Sequence, residues 1–99
     1  MNVSVLQETK EGTVQQGMIA VVFENDLKSV RPALMNLKNE YREIVRTSFI
    51  AEMTGNFGLD IVVVHGDTTR IRSFEQKMIA KRGVRSVRLT LIPSEGTGT

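Results

Sequence analysis

Ile61-Val62-Val63-Val64-His65-Gly66-Asp67, then Thr68-Thr69-Arg70-Ile71-Arg72-Ser73-Phe74-Glu75-Gln76-Lys77-Met78, then Lys81-Arg82-Gly83-Val84-Arg85-Ser86-Val87-Arg88-Leu89 form the stretch that decides the fold. The first segment is apolar at successive positions, as a strand buried on both faces would be. Asp67 or Thr68 can cap a helix, and Ile71, Phe74 and Met78 follow at i, i+3 and i+7 on one face of it. Gly83 stands where a helix C′ residue turns left-handed. Val87, Leu89 and Leu91 then alternate to Pro93 as a final strand.

Working backwards, Thr54-Gly55-Asn56-Phe57-Gly58 supplies turn chemistry between two strands. Before it, Val45, Thr47, Phe49, Ala51 and Met53 alternate with Arg46, Ser48, Ile50 and Glu52, the period of a half-buried strand. Val30, Leu34, Leu37 and Tyr41 share one helical face, with Ser29 as the expected N-cap and Pro32 in the first turn. Gly17 to Phe23 is apolar on both faces: Ile19, Val21 and Phe23 on one, Met18, Ala20 and Val22 on the other.

The order is strand, helix, strand, strand, helix, strand. That predicts an α+β, ferredoxin-like βαββαβ sandwich, a four-stranded antiparallel sheet with two helices on one face. The first and third strands, apolar on both faces, are the expected central pair. Helices shield one face only, so Ala20, Val22 and their neighbours on the third strand are left bare. Exposed apolar area costs about 25 cal/mol per Å², and a second subunit is the simplest cover. The expectation is therefore a homo-oligomer, dimer or tetramer. In the competing reading the N-terminal segment folds over that face, for which it is short and polar.

Ninety-nine residues make one domain, 40% apolar and 24% charged. Residues 1–16 form a polar segment that either adds an edge strand or stays mobile. Residues 17–93 form the domain, and 94–99 a small polar tail expected to be disordered. No apolar run nears the ~20 residues that span a bilayer, and no signal-peptide pattern opens the chain. No membrane association is expected, and a cytoplasmic location is the default. With no cysteine, disulfides and thiolate catalysis are excluded.

Val64-His65-Gly66-Asp67, the helix carrying Ile71 and Phe74, and Ile79-Ala80-Lys81-Arg82-Gly83-Val84-Arg85 followed by Leu89 resemble the C-terminal, ACT-like domain of the nickel-responsive regulator NikR. The likeness runs from about Gly17 to Pro93. Tyr41 sits where that family often carries an aromatic after its first helix. A looser likeness is to small stand-alone ACT-like regulators of hydrogenase systems. The resemblance implies a regulatory module in a tetramer whose domains associate centrally and bind nickel between subunits.

It also implies where that nickel site would lie: Asn39, Ile50, Glu52 and Gly58 stand at the family's three histidines and one cysteine. Ni(II) in square-planar geometry takes nitrogen and sulfur donors, and of these four only Glu52 can coordinate a metal. No metal or other cofactor is therefore expected, and the family-type nickel site is read as lost. The family's ribbon-helix-helix arm does not fit within Met1 to Gln16. Either the chain is a stand-alone relative or another arrangement replaces the arm. A sensed small-molecule ligand is expected between subunits near Asn39, Ile50, Glu52 and Gly58, acting by population shift.

The net charge is only +2, yet Arg70, Arg72, Lys77, Lys81, Arg82, Arg85 and Arg88 crowd one stretch against Glu75 alone. The alternative function is nucleic-acid binding through Arg70, Lys77, Lys81, Arg82, Arg85 and Arg88. Interleaved aromatics are lacking, which favours a solvated face. His65, the single histidine, reads as a structural or solvent-exposed strand-end residue. Glu52 and Asp60, on adjacent strands, read as exposed, ion-paired carboxylates rather than as a cation site. Gly12-Thr13-Val14-Gln15-Gln16-Gly17 faintly resembles an acylphosphatase phosphate loop, but Gln16 interrupts it and the required arginine is missing. No catalytic set is visible, and the chain is not expected to be an enzyme.

Overall fold

The computed structural model describes residues 13–92. Its elements run β1 (Val14–Glu24), α1 (Val30–Glu40), β2 (Val45–Glu52), β3 (Phe57–Asp67), α2 (Thr68–Ile79) and β4 (Val84–Ile92). The sheet order is β2-β3-β1-β4, and every neighbouring pair is antiparallel. The two strands that read as apolar on both faces are thus the central ones, as expected. They are longer than expected: β1 starts at Val14 rather than Gly17, and β3 runs from Phe57 to Asp67 rather than Leu59 to His65. The rest of the N-terminal segment, residues 1–12, and the tail from 93 lie outside the described residues.

One face of the sheet meets both helices. Ile19, Val21, Phe23, Val62 and Val64 pack there against Val30, Leu34, Leu37 and Tyr41 from the first helical stretch and Ile71, Phe74 and Met78 from the second. These are the residues that the 3.6-residue period had picked out. The helix ends differ in chemistry. Asp67 caps α2 by accepting from the Thr69 N–H at 3.0 Å. Ser29 occupies the α1 cap position with helical backbone angles and makes no side-chain cap bond, against expectation. Gly83 takes φ +92°, but three residues beyond the C-cap Ala80, so it turns the chain into β4 rather than ending the helix.

The second strand departs from its sequence pattern. Its register on β3 shifts between Val45 and Thr47, leaving Arg46 as an extra residue. A bulge of this kind changes which face each following side chain takes. Val45 and Ile50 both pack on the core, although alternation had set them on opposite sides. Thr47, Phe49 and Ala51 pair with Val63, Ile61 and Leu59 on the open face, and Phe49 is 58% exposed.

Tyr41, fully buried just after α1, joins the helices. Its ring stacks on Phe74 at 4.9 Å and 26°, and its hydroxyl lies 2.6 Å from the Ser73 hydroxyl. Arg70 lies 4.1 Å over the same ring and donates to Glu43 at 2.7 Å. Lys77, 5.3 Å from the ring, donates to Glu40 at 3.0 Å. The Arg70 hydrogen bond lowers the Glu43 carboxyl below its ordinary range, and Glu40 raises the Lys77 ammonium. Since Glu43 ionises more readily folded than unfolded, its contribution is present above the usual glutamate pKa and is lost as pH falls through the lowered folded value. Thermal melts of Glu43→Gln and the parent chain should therefore differ at neutral pH and converge only as pH falls below the ordinary glutamate range.

Candidate functional site

The four positions implied by the nickel-site resemblance fall on three elements, and the structure treats them differently. Asn39 is exposed near the end of α1. Ile50 packs against the core from β2. Glu52, on the same side of that strand, lies 3.8 Å from Arg31 of α1. Gly58 is buried in β3 opposite Phe23, and any β-carbon there would fall within the Phe23 ring. An amide, an alkyl chain, an engaged carboxylate and a position with no room for a side chain do not make a Ni(II) donor set. Among the described residues no group of three or more histidine, cysteine or carboxylate side chains is placed to hold a metal.

Between α1 and β2 lies an open groove of about 490 Å³, lined by Met35, Asn36, Lys38, Asn39, Arg42, Val45 and Ser48. Of the four positions only Asn39 lines it. Its floor holds an interaction that the sequence reading missed. Lys38 donates to Asp60 Oδ2 at 2.8 Å and to the Ser48 hydroxyl at 3.3 Å. The Asp60 side chain is fully buried and that of Lys38 is 14% exposed. Asp60 is thus a core carboxylate balanced by α1, not the exposed, ion-paired residue that the sequence suggests. Its Oδ1 finds no donor among the described residues, so the ion pair carries most of the desolvation cost. The spacing from Lys38 to Asp60 gives no local signal, because the pair exists only once α1 lies across the sheet.

The basic stretch does not present one free cationic surface. Arg70 and Lys77 are committed to Glu43 in the turn after α1 and to Glu40 at the end of that helix. Arg72 pairs with Glu75 at 3.1 Å, and Arg85 with Glu24 of β1 at 3.0 Å. Lys81, Arg82 and Arg88 make no ion pair among the described residues. Arg82 lies in the turn before β4, whereas Arg88 stands beside Ala20 on the open sheet face. His65 Nδ1 is 3.1 Å from Arg46 at the end of β3, a structural setting. Val14 to Gly17 lie in β1 rather than in a phosphate-binding loop.

A βαββαβ sandwich with helices on one side and a bare apolar sheet on the other defines an ACT-like module. Two solved structures share this fold. One is an uncharacterized protein from Thermotoga maritima, with TM-score 0.67 and 17% identity, covering 84% of this chain and 100% of that one. The other is the ACT domain of GTP pyrophosphokinase from Chlorobium tepidum, with TM-score 0.67 and 15% identity, covering 79% of this chain and 100% of that one. Residues 16–92 match the NikR C terminal nickel binding domain, and the chain belongs to that family.

A protein named as nickel-responsive regulator 2 in Methanothermobacter thermautotrophicus is 34% identical over 79 residues, 80% of this chain and 56% of that protein. One from Pyrococcus horikoshii, also named as a nickel-responsive regulator, is 28% identical over 75 residues, 76% of this chain and 54% of that protein. The chain spans a little over half the length of these curated relatives. They are named as regulators, not enzymes. No helix among the described residues is long and apolar enough to cross a membrane.

The buried pair supplies a stability test. Lys38→Met leaves the Asp60 charge without a counter-ion and should cost about 3–5 kcal/mol in urea unfolding. Adding Asp60→Leu should return most of that loss, because an apolar pair of similar volume avoids the desolvation cost. A single variant as stable as the parent would mean that the pair contributes nothing.

Proposed function

We propose that the domain is a regulatory module that works by self-association through the open face of its sheet, and that tight nickel binding is not part of its action. The observation carrying this reading is the apolar face opposite the helices. Met18, 41% exposed, and Phe49 lie there with Ala20, Val22, Leu59, Ile61 and Val63. Four strands at ~4.8 Å spacing and ~3.4 Å rise per residue make a face of roughly 600 Å². A standard interface takes about 800 Å² per partner, so a second sheet is a cover of suitable size. Large contiguous apolar patches mark interaction sites in soluble proteins.

A ligand acts on such an assembly by preferring one subunit arrangement over another. The α1–β2 groove is the candidate place for one. Asn39, one of the four positions, lines it, and its charged lining is Lys38 and Arg42 with no carboxylate. That lining suits a small anion better than a metal cation. The commitment of Arg70, Arg72, Lys77 and Arg85 to ion pairs leaves the nucleic-acid reading the weaker of the two.

Two experiments test the proposal. Ile61→Glu places a charge in the centre of the open face, where a folded monomer tolerates it and a sheet–sheet interface does not. Light scattering should give an oligomer for the parent and a folded monomer for the variant; a monomeric parent at high concentration removes the reading. Calorimetric titration of the parent with Ni(II) should give no stoichiometric tight binding. A sharp equivalence point would restore a nickel role through donors other than the four positions.

A further inference from the structure

We propose that the groove between α1 and β2 binds a small organic monocarboxylate within each protomer, its carboxylate held by Lys38, Arg42 and Ser48 and its apolar body laid along Met35 and Val45. This rests on the groove's preference for an anion argued above and names the class of that anion. An ammonium carries three N–H donors. Lys38 places one on Asp60 Oδ2 and one on the Ser48 hydroxyl, and the third has no acceptor among the described residues. Ser48 accepts from Lys38 and so keeps its own O–H to donate. Arg42, exposed in the turn after α1, makes no side-chain hydrogen bond or ion pair among the described residues. Glu43 beside it is held by Arg70. The side-chain amides of Asn36 and Asn39 are likewise unengaged among the described residues.

The local charge sets how much negative charge the ligand brings. Lys38 and Arg42 supply two positive charges and the fully buried Asp60 removes one. The single positive charge left is balanced by a monoanion and exceeded by a phosphate dianion. Asp60 holds the Lys38 ammonium from the core side rather than from the groove wall, so an incoming carboxylate meets donors first. The planar fork of Arg42 matches a carboxylate with two parallel N–H···O bonds. A volume of about 490 Å³ falls in the range of small-molecule sites and exceeds what a carboxylate group alone fills. The remaining wall is apolar: Met35 is 66% exposed and Val45 is half-buried. A thioether chain adapts to irregular ligand shapes, and an aliphatic body lying over both side chains removes their apolar surface from water.

The probe is hexanoate, titrated into the full isotope-labelled chain and followed by amide resonances. Saturable shifts should centre on the side-chain amides of Asn36 and Asn39 and on the backbone of Ser48. Acetate, lacking the aliphatic body, should bind about tenfold more weakly, and inorganic phosphate should also bind more weakly than hexanoate. Arg42→Gln alters an exposed side chain and should weaken hexanoate about tenfold. Arg82→Gln, equally unpaired among the described residues but outside the groove, should leave binding unchanged. The double variant Lys38→Met with Asp60→Leu should stay folded and lose binding. No saturation at tens of millimolar overturns the site, as do shifts that fall on Ile61 and Val63, which would mean that hexanoate coats the open sheet face. Equal losses in Arg42→Gln and Arg82→Gln would reduce the effect to diffuse charge. Phosphate binding as tightly as hexanoate overturns the carboxylate class. The same titration in Ile61→Glu separates this site from the self-association reading. Hexanoate binding alongside a monomeric parent upholds the groove site while self-association fails, and an oligomeric parent that binds no hexanoate does the reverse.

Discussion

Two helices can cover only one face of a four-stranded sheet, and the central strands here are apolar on both. On the covered face, Ile19, Val21, Phe23, Val62 and Val64 are fully buried. One residue along, the same strands offer Met18, Ala20, Val22, Ile61 and Val63 to solvent. Such a sequence meets the burial requirement of the monomer and then exceeds it. The excess has no role in the stability of a lone protomer, since about 25 cal/mol per Å² is forfeited wherever apolar area stays wet. It is intelligible as half of an interface, and that asymmetry between the two faces organises every functional reading of the chain.

Charge in this protein is spent largely on holding elements together, the one economy in its construction that composition conceals. The stretch from Arg70 to Arg88 looks strongly basic along the chain, yet Glu40, Glu43 and Glu24 reach it from distant parts of the sequence. Two of those pairs flank the Tyr41 ring, so the contact between helices combines stacking, cation–π attraction and ion pairing. Exposed pairs are individually weak, about 0–1 kcal/mol. Gathered around one buried aromatic, they lie beside the contact between the two helices.

How much was legible in advance follows from the range of each signal. The strand order, the covered face and the core residues came from local periodicity, which tertiary structure had no reason to override. Val45 was set on the same side as Thr47, Phe49 and Ala51 because one extra residue, Arg46, changes the parity of β2, and nothing in Val45-Arg46-Thr47 announces a bulge. Asp60 was taken as exposed because a lone acid between Leu59 and Ile61 has no visible partner until Lys38 arrives from the helix. Gly58 looked like a vacated ligand position. Its reason for being glycine is steric, since the Phe23 ring occupies the space its side chain would need.

The four positions that the resemblance implies, Asn39, Ile50, Glu52 and Gly58, lie on α1, β2 and β3. The same three elements are joined by Lys38, Ser48 and Asp60, through an ammonium that belongs to the protein itself. The physical consequence is a difference in what can be regulated. An external ion shared between subunits makes their arrangement depend on its concentration, because a ligand shifts an equilibrium only through its differential affinity for the two states. An internal ammonium joins α1 to the sheet within one protomer at any concentration, and so has no such differential affinity to offer. On the reading proposed above, regulation would act where subunits meet or in the groove beside Lys38, where a bound anion would compete with Asp60 for the same cation. A ligand there would loosen α1 from β3 and, through β2, alter the edge of the open face that carries Phe49.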